Sequence, residues 1–136
     1  MKPISFLSLL VLLSLCLNAT EYAVVTNKNI DALRLGQIKA FFLKKTSYLG
    51  ANPVIPINLS SRHRIRISFE KQVLHMSFTR LKSYWTKQHY LGHRPPISMK
   101  SQESIKAFIE KVDGAIGYME LEKVDGSLKI VYKWSE

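Results

Sequence analysis

The strongest constraint on the fold is the alternation, after residue 20, of short apolar segments with segments of helical periodicity. The apolar segments are bounded by turn-forming residues, which is typical of strands. The segments between them repeat apolar residues every three or four positions, which is typical of helices with one buried face. Strands are predicted at 21–26, 54–59, 115–119 and 127–132, and helices at 33–44, from Ser60–Ser61 to about Met76, from Ser77 or Thr79 past Trp85, and at 101–112. This order predicts an α/β sandwich with a small mixed sheet.

Residues 1–19 are predicted to be a secretory signal peptide and residues 20–136 a single domain. Lys2 precedes the nearly continuous apolar run Ile4–Leu17, and cleavage is expected after Ala19. The run is shorter than the roughly 20 residues of a membrane-spanning helix, which makes an anchor the less favoured alternative. A lipoprotein signal at Cys16 is a further alternative, although the preceding Leu15 is bulky where a small residue is preferred. We therefore expect an exported, periplasmic protein.

Cysteine usage restricts what can stabilise this domain. Cys16 is the only cysteine and lies in the predicted leader. Its removal excludes disulfides, a thiolate nucleophile and a cysteine metal site from the domain. An exported domain of this kind depends on its apolar core.

The positive charge of the chain favours an anionic partner. The formal charge is +10, of which Lys2 contributes one, so that about +9 remains after the leader. Such a charge attracts anions, although a merely solvated basic surface is the alternative. A specific nucleic-acid partner is not expected, because no zinc-finger or ribonucleoprotein motif is present and Tyr84 and Trp85 have the spacing of core residues.

Enzymatic motifs are absent from the sequence. There is no Gly-x-Ser-x-Gly elbow, phosphate-binding Walker loop or His-Glu-x-x-His zinc motif. His89 and His93 have the spacing of zinc ligands on a helix, but Gly92 and Pro95 interrupt a regular helix there. No catalytic residue, metal or cofactor is therefore predicted.

A glycine motif links the last predicted helix to the third strand. In Val112-Asp113-Gly114-Ala115-Ile116-Gly117-Tyr118, Gly114 can adopt the positive φ that ends a helix. Gly117 allows a close approach by another segment within a strand. The motif predicts a tight turn into a buried strand.

Four segments in fixed order resemble a known protein family. They are residues 38–43 (Ile-Lys-Ala-Phe-Phe-Leu), the strand 54–59, Tyr84-Trp85 followed by Gly92-His93-Arg94-Pro95-Pro96, and the glycine motif. In this order they resemble one lobe of the substrate-binding proteins of phosphate ABC transporters. The resemblance covers roughly residues 22–120 and implies a single-lobe, type II periplasmic-binding-protein-like three-layer sandwich. Because the family binds its ligand between two lobes, a second copy or another envelope protein would have to complete the cleft.

The resemblance also indicates a ligand site, at the turn after the second strand. The family has a Ser/Gly/Thr-rich turn at a helix start there, and this chain has Leu59-Ser60-Ser61-Arg62-His63. Helix amino termini attract anions, and Arg66 lies one turn further on. The candidate ligand residues are therefore Ser60, Ser61, Arg62, His63 and Arg66. Plain capping of the helix by Ser60 or Ser61 is the alternative, since Arg62 and His63 replace the family's glycine and hydroxyl residue.

Together these features predict a non-enzymatic protein that binds phosphate or a related small anion in the periplasm. The alternative function is an interaction module that has lost ligand binding. Such a module would use its basic face to dock onto a membrane or an envelope protein.

Overall fold

The computed structural model describes residues 19–136, so the predicted signal peptide, residues 1–19, lies outside the described residues except for Ala19. The elements are, in order, β1 (Glu21–Asn27), α1 (Leu35–Phe42), β2 (Tyr48–Leu49), β3 (Asn52–Pro53), β4 (Ile55–Leu59), α2 (Arg64–Gln72), α3 (Phe78–Tyr90), β5 (Ile97–Met99), α4 (Gln102–Lys111), β6 (Ala115–Glu120), a short 3₁₀ helix (Leu121–Lys123) and β7 (Leu128–Ser135). Within the described part of the chain, no helix has the length and apolarity that a membrane crossing requires.

Five strands form one mixed sheet in the order β5-β4-β6-β1-β7. The central strand β6 pairs in parallel with β4, which pairs in parallel with β5. On its other side β6 pairs antiparallel with β1, and β1 pairs antiparallel with β7. The small mixed sheet expected from the sequence is therefore confirmed.

Alternating side chains of β6 show how the helices divide between the two faces of the sheet. The ring of Tyr118 stacks on Phe69 of α2 at 4.1 Å and lies 5.8 Å from Phe42 of α1, measured between ring centroids. The neighbouring Gly117 points to the other face, where its Cα lies against Ile105 of α4. Helices α1 and α2 thus cover one face and α4 covers the other, so the three-layer sandwich is confirmed.

Helix α3 belongs to the same layer as α1. The hydroxyl of Tyr84 donates a hydrogen bond of 2.6 Å to the carbonyl of Leu43, at the end of α1. The buried Leu81 places the same side of α3 against the core. The contiguous buried core runs from Tyr22 to Trp134. The described strands and helices thus share one core.

The predicted strands and helices are present, with differences at short elements and at caps. Ser77 and Ser101 cap α3 and α4, accepting from the amides of Arg80 and Ser104. Arg34 occupies the N-cap position of α1. The Asp125-Gly126 turn does not join two paired strands, because β1 lies between β6 and β7.

Three short strands, β2, β3 and β5, were not predicted from the sequence. The three-residue β5 follows the Gly92–Pro96 break and is too short to show a periodic pattern. Residues 49–53 form most of the small β2–β3 hairpin. Because β5 lies beside β4, the sequence did not indicate which residues lie next to the end of β4.

Both glycines of the glycine motif lie where the chain needs them, although Gly114 does not end the helix, because α4 already ends at Lys111 with the extended Val112 as its cap. Gly114 has a φ of +85°, and a Cβ at this position would lie 2.2 Å from the carbonyl oxygen of Pro53. Gly117 lies under α4, where a Cβ would approach Ile105 Cγ2 to 2.7 Å and Ile109 Cδ1 to 3.1 Å. The turn and the close approach predicted from the sequence are confirmed.

These contacts predict a graded response to alanine. Gly117→Ala should destabilise the protein by about 1–3 kcal/mol, because isoleucine side chains can shift to accept the methyl group. Gly114→Ala should cost more, about 3 kcal/mol or above, because the clash is with backbone and the φ is left-handed. Gly126→Ala is the matched control, since nothing lies within 4 Å of its Cβ position. Urea unfolding measures all three, and equal losses for Gly114→Ala and Gly126→Ala would contradict the packing argument.

Candidate functional site

The candidate site is the turn between β4 and α2. The chain leaves the sheet at Leu59, and the turn is closed by a 2.8 Å hydrogen bond from the amide of His63 to the carbonyl of Ser60. His63 is the N-cap of α2, and its Nδ1 accepts from the amide of Ile65 at 3.2 Å. The alternative in which Ser60 or Ser61 caps the helix is therefore wrong. Among residues 19–136, neither serine hydroxyl has a hydrogen-bond partner.

The topology places this turn at a crevice between two strand ends. The connection that leaves β4 runs through α2 and α3 on one face of the sheet, and the connection that leaves β5 runs through α4 on the other. In open α/β sheets, ligands bind outside the carboxyl ends of the strands where the strand order reverses, and in the order β5-β4-β6 that point is the end of β4, beside β6. The register pairs Leu59 with Met99, so the next residues, Ser60 and Lys100, leave the sheet at the same edge. Sequence reasoning missed Lys100 because β5 was not recognised.

The start of α2 carries an unusual concentration of positive charge. Arg62, Arg64 and Arg66 lie within five residues, and the first turn of the helix has no acidic residue. The amino end of a helix already bears a partial positive charge from its unpaired amides. Cations near the amino end of a helix are unfavourable. A bound anion would offset both the partial charge of the helix and the charge of the arginines.

The guanidinium group of Arg66 is bonded to other groups of the protein. Its Nη1 donates to the carbonyl of Leu59 at 2.9 Å, and its Nε lies 3.4 Å from Glu70 Oε2. Burial raises the pKa of the Glu70 carboxyl, and the charge of Arg66 opposes that rise. Arg66 thus fastens the start of α2 to the end of β4, which is a positioning role that the sequence did not indicate.

The strand end beneath the turn is fixed by a buried tyrosine. The hydroxyl of Tyr118 donates to Asn58 Oδ1 at 2.9 Å and accepts from the amide of Leu59 at 3.2 Å. Burial raises the pKa of Tyr118 above its ordinary value, so its hydroxyl stays protonated and continues to donate. The last two residues of β4 are therefore held rigidly below Ser60.

The surface around the turn is open. Ser61 and Arg62 line a depression of about 700 Å³, and Ser60, His63 and Arg66 do not. The other lining residues come from α2, from the start of α3 and from the segment between them: Ile67, Glu70, Lys71, His75, Met76, Ser77 and Phe78. On the far side of Arg64, a second depression is lined by carboxylates, Glu21, Glu120 and Glu122. The described residues around the turn therefore form an open surface, and not an enclosed pocket.

Metal binding finds no support in the described residues. Between residues 19 and 136, no three histidine, cysteine or acidic side chains come together as a metal would require.

Comparison with known proteins identifies proteins of similar fold but no sequence family. No protein-family model matches the chain, and no curated protein sequence matches it. Solved structures do match. A protein of Clostridium perfringens, described as a phosphate ABC transporter substrate-binding protein and solved with bound phosphate, is 20% identical with a TM-score of 0.67. An ABC-type phosphate transport receptor of Vibrio cholerae is 14% identical with a TM-score of 0.65.

The likeness covers most of this chain and under half of the other proteins. It spans 83% of this chain in both cases, but 44% of the Clostridium protein and 46% of the Vibrio protein. At these identities the likeness is one of fold. The chain thus has the fold of part of a phosphate-transport substrate-binding protein, as the resemblance in the sequence implied.

The contacts of Arg66 and the exposure of Arg62 predict effects of different size on stability. Arg66→Ala should lower the free energy of unfolding by about 1–3 kcal/mol, because the Leu59 carbonyl and the Glu70 carboxylate lose their partner. Arg62→Ala should change it by less than about 0.5 kcal/mol, because Arg62 is exposed. Urea titrations of the two variants beside the wild type make the comparison. Equal stabilities would show that the Arg66 contacts do not fasten the turn.

Proposed function

We propose that the chain is an exported, non-enzymatic, single-lobe substrate-binding protein that binds phosphate or a related small oxyanion in the periplasm. The observation that carries the proposal is the turn Ser60–His63, which follows the carboxyl end of β4 and brings two serine hydroxyls and the exposed Arg62 to the amino end of α2. The likeness of fold to a protein solved with bound phosphate supports the choice of anion.

The five candidate residues divide into two roles in this proposal. Ser60, Ser61 and Arg62 contact the anion through two hydroxyls and a charge-assisted guanidinium bond. His63 and Arg66 hold the turn in place, since each already bonds to backbone atoms of residues 59–65. Lys100 adds positive charge from the neighbouring strand end.

A single wall open to water binds weakly, because each hydrogen bond to the ligand replaces one to solvent. The chain spans under half of the length of the two solved proteins, each of which has more chain to build a second wall. We infer that a second copy or another envelope protein completes the cleft in the cell. The isolated domain is expected to bind phosphate with low affinity, in a salt-dependent way.

Calorimetric titration with phosphate and with sulfate, at low ionic strength, tests the proposal on the protein that lacks residues 1–19. Arg62→Ala should weaken phosphate binding about tenfold, because a charged hydrogen bond is lost. The matched control is Arg94→Ala, which removes one exposed positive charge from the turn after α3. Its effect should be below about twofold, because exposed charges interact weakly.

Two results would contradict the proposal. One is the absence of both a heat signal and a rise in melting temperature at high phosphate. That outcome would favour the alternative of an interaction module without ligand binding. The other is equal weakening by Arg62→Ala and Arg94→Ala, which would mean that phosphate responds to net charge and not to the turn.

A further inference from the structure

Positive charge is concentrated in one continuous stretch of the chain. Residues 71–102 contain no aspartate or glutamate. The same stretch has six lysines and arginines and three histidines: Lys71, Arg80, Lys82, Lys87, Arg94 and Lys100, with His75, His89 and His93. The stretch includes the whole of α3 and the turn that follows it.

In the folded protein, this uneven distribution of charge along the sequence becomes a difference in charge between the two faces of the sheet. The ion pairs of Lys106 with Glu110 and Asp125, and of Lys123 with Glu103, involve α4 and the segment between β6 and β7. In the layer of α1, α2 and α3, the one ion pair among the described residues is Arg66–Glu70. The cations of α3 therefore face solvent with no described carboxylate to neutralise them.

Large apolar side chains are exposed among these cations. Tyr90 is 85% exposed and Leu91 is 60% exposed, at the carboxyl end of α3. Together with Lys82, Thr86 and Lys87 they line a shallow depression on the outer side of the helix. The inner side of α3 is occupied, since Leu81 is buried and Tyr84 bonds to Leu43. The packing of α3 against the domain therefore uses its inner side and does not involve Tyr90 or Leu91.

We propose that the outer face of α3, with the turn after it, is a docking surface for a lipid bilayer that contains anionic headgroups. Cations next to exposed tyrosine and leucine side chains are the combination that lies stably at a bilayer interface. The lysines attract the headgroups, and Tyr90 and Leu91 enter the boundary between headgroups and acyl chains. This inference rests on residues that the anion site does not use.

Other occupants fit these side chains less well. A second copy of this face would bring like charges together. Nucleic acid would satisfy the cations, but an exposed leucine offers bases no stacking surface and no hydrogen bond. The pairing of charge with aliphatic exposure therefore favours a bilayer.

Co-sedimentation with vesicles tests the inference on the domain of residues 20–136, so that the apolar leader plays no part. Binding is expected to mixed phosphatidylcholine and phosphatidylglycerol vesicles and not to phosphatidylcholine alone. The double variant Lys82→Glu/Lys87→Glu should weaken binding at least about twentyfold, since each lysine near an anionic surface contributes about a factor of five. Lys111→Glu/Lys133→Glu makes the same change in net charge at exposed positions of α4 and β7, and should weaken binding by less than about threefold.

A second variant tests the apolar part of the surface. Tyr90→Ser/Leu91→Ser keeps every charge and should weaken vesicle binding about tenfold, because apolar area no longer enters the bilayer. All variants are checked for an unchanged melting temperature, which their exposure leads us to expect. The inference is overturned if both charge variants lose binding equally, or if Tyr90→Ser/Leu91→Ser binds like the wild type. Tighter binding to a short single-stranded oligonucleotide than to the anionic vesicles would also overturn it.

Discussion

The geometry of the candidate site depends on the buried side chain of Tyr118. Its ring stacks on Phe69 at 4.1 Å, which attaches α2 to the central strand β6. Its hydroxyl holds Asn58 and the amide of Leu59, which attaches the end of β4 to the same strand. Tyr118 therefore anchors the turn between β4 and α2 on both sides. The side chain of Arg66 adds a hydrogen bond to the carbonyl of Leu59. A turn fixed in this way presents its hydroxyls and amides without an ordering cost at the moment of binding.

Periodicity in the sequence predicted the layers of the fold well, because most elements are long enough to repeat a buried face. It failed at β5, since three residues show no period, and with it the position of Lys100 was lost. The cap of α2 was also mispredicted: serine is the commoner cap, but the turn places His63 where its ring nitrogen reaches the amide of Ile65. The role of Arg66 depends on a contact with the end of β4, which no local pattern reveals. Which residues touch an anion stays a prediction.

The sequence also did not indicate that the two faces of the sheet differ in charge. The absence of acids between residues 71 and 102 can be read directly, but its meaning depends on which helices share a face. The topology puts α1, α2 and α3 on one side and α4 on the other. The resulting positive potential raises the local concentration of anions near the start of α2. At about 0.1 M salt it extends about 10 Å from the surface, which is enough to guide a small anion to the turn.

The anion site and the proposed docking surface lie toward opposite ends of the sheet. Because β4 and β5 are parallel, α2 and α3 must return the chain from the carboxyl edge of β4 to the amino edge of β5. Ser60, Ser61 and Arg62 lie at the first edge, while Tyr90 and Leu91, at the end of α3, lie toward the second. A domain held to a bilayer by the end of α3 would therefore keep the turn Ser60–His63 away from the lipid. That orientation leaves the open wall of the site accessible to a diffusing anion and to a protein that supplies the missing wall.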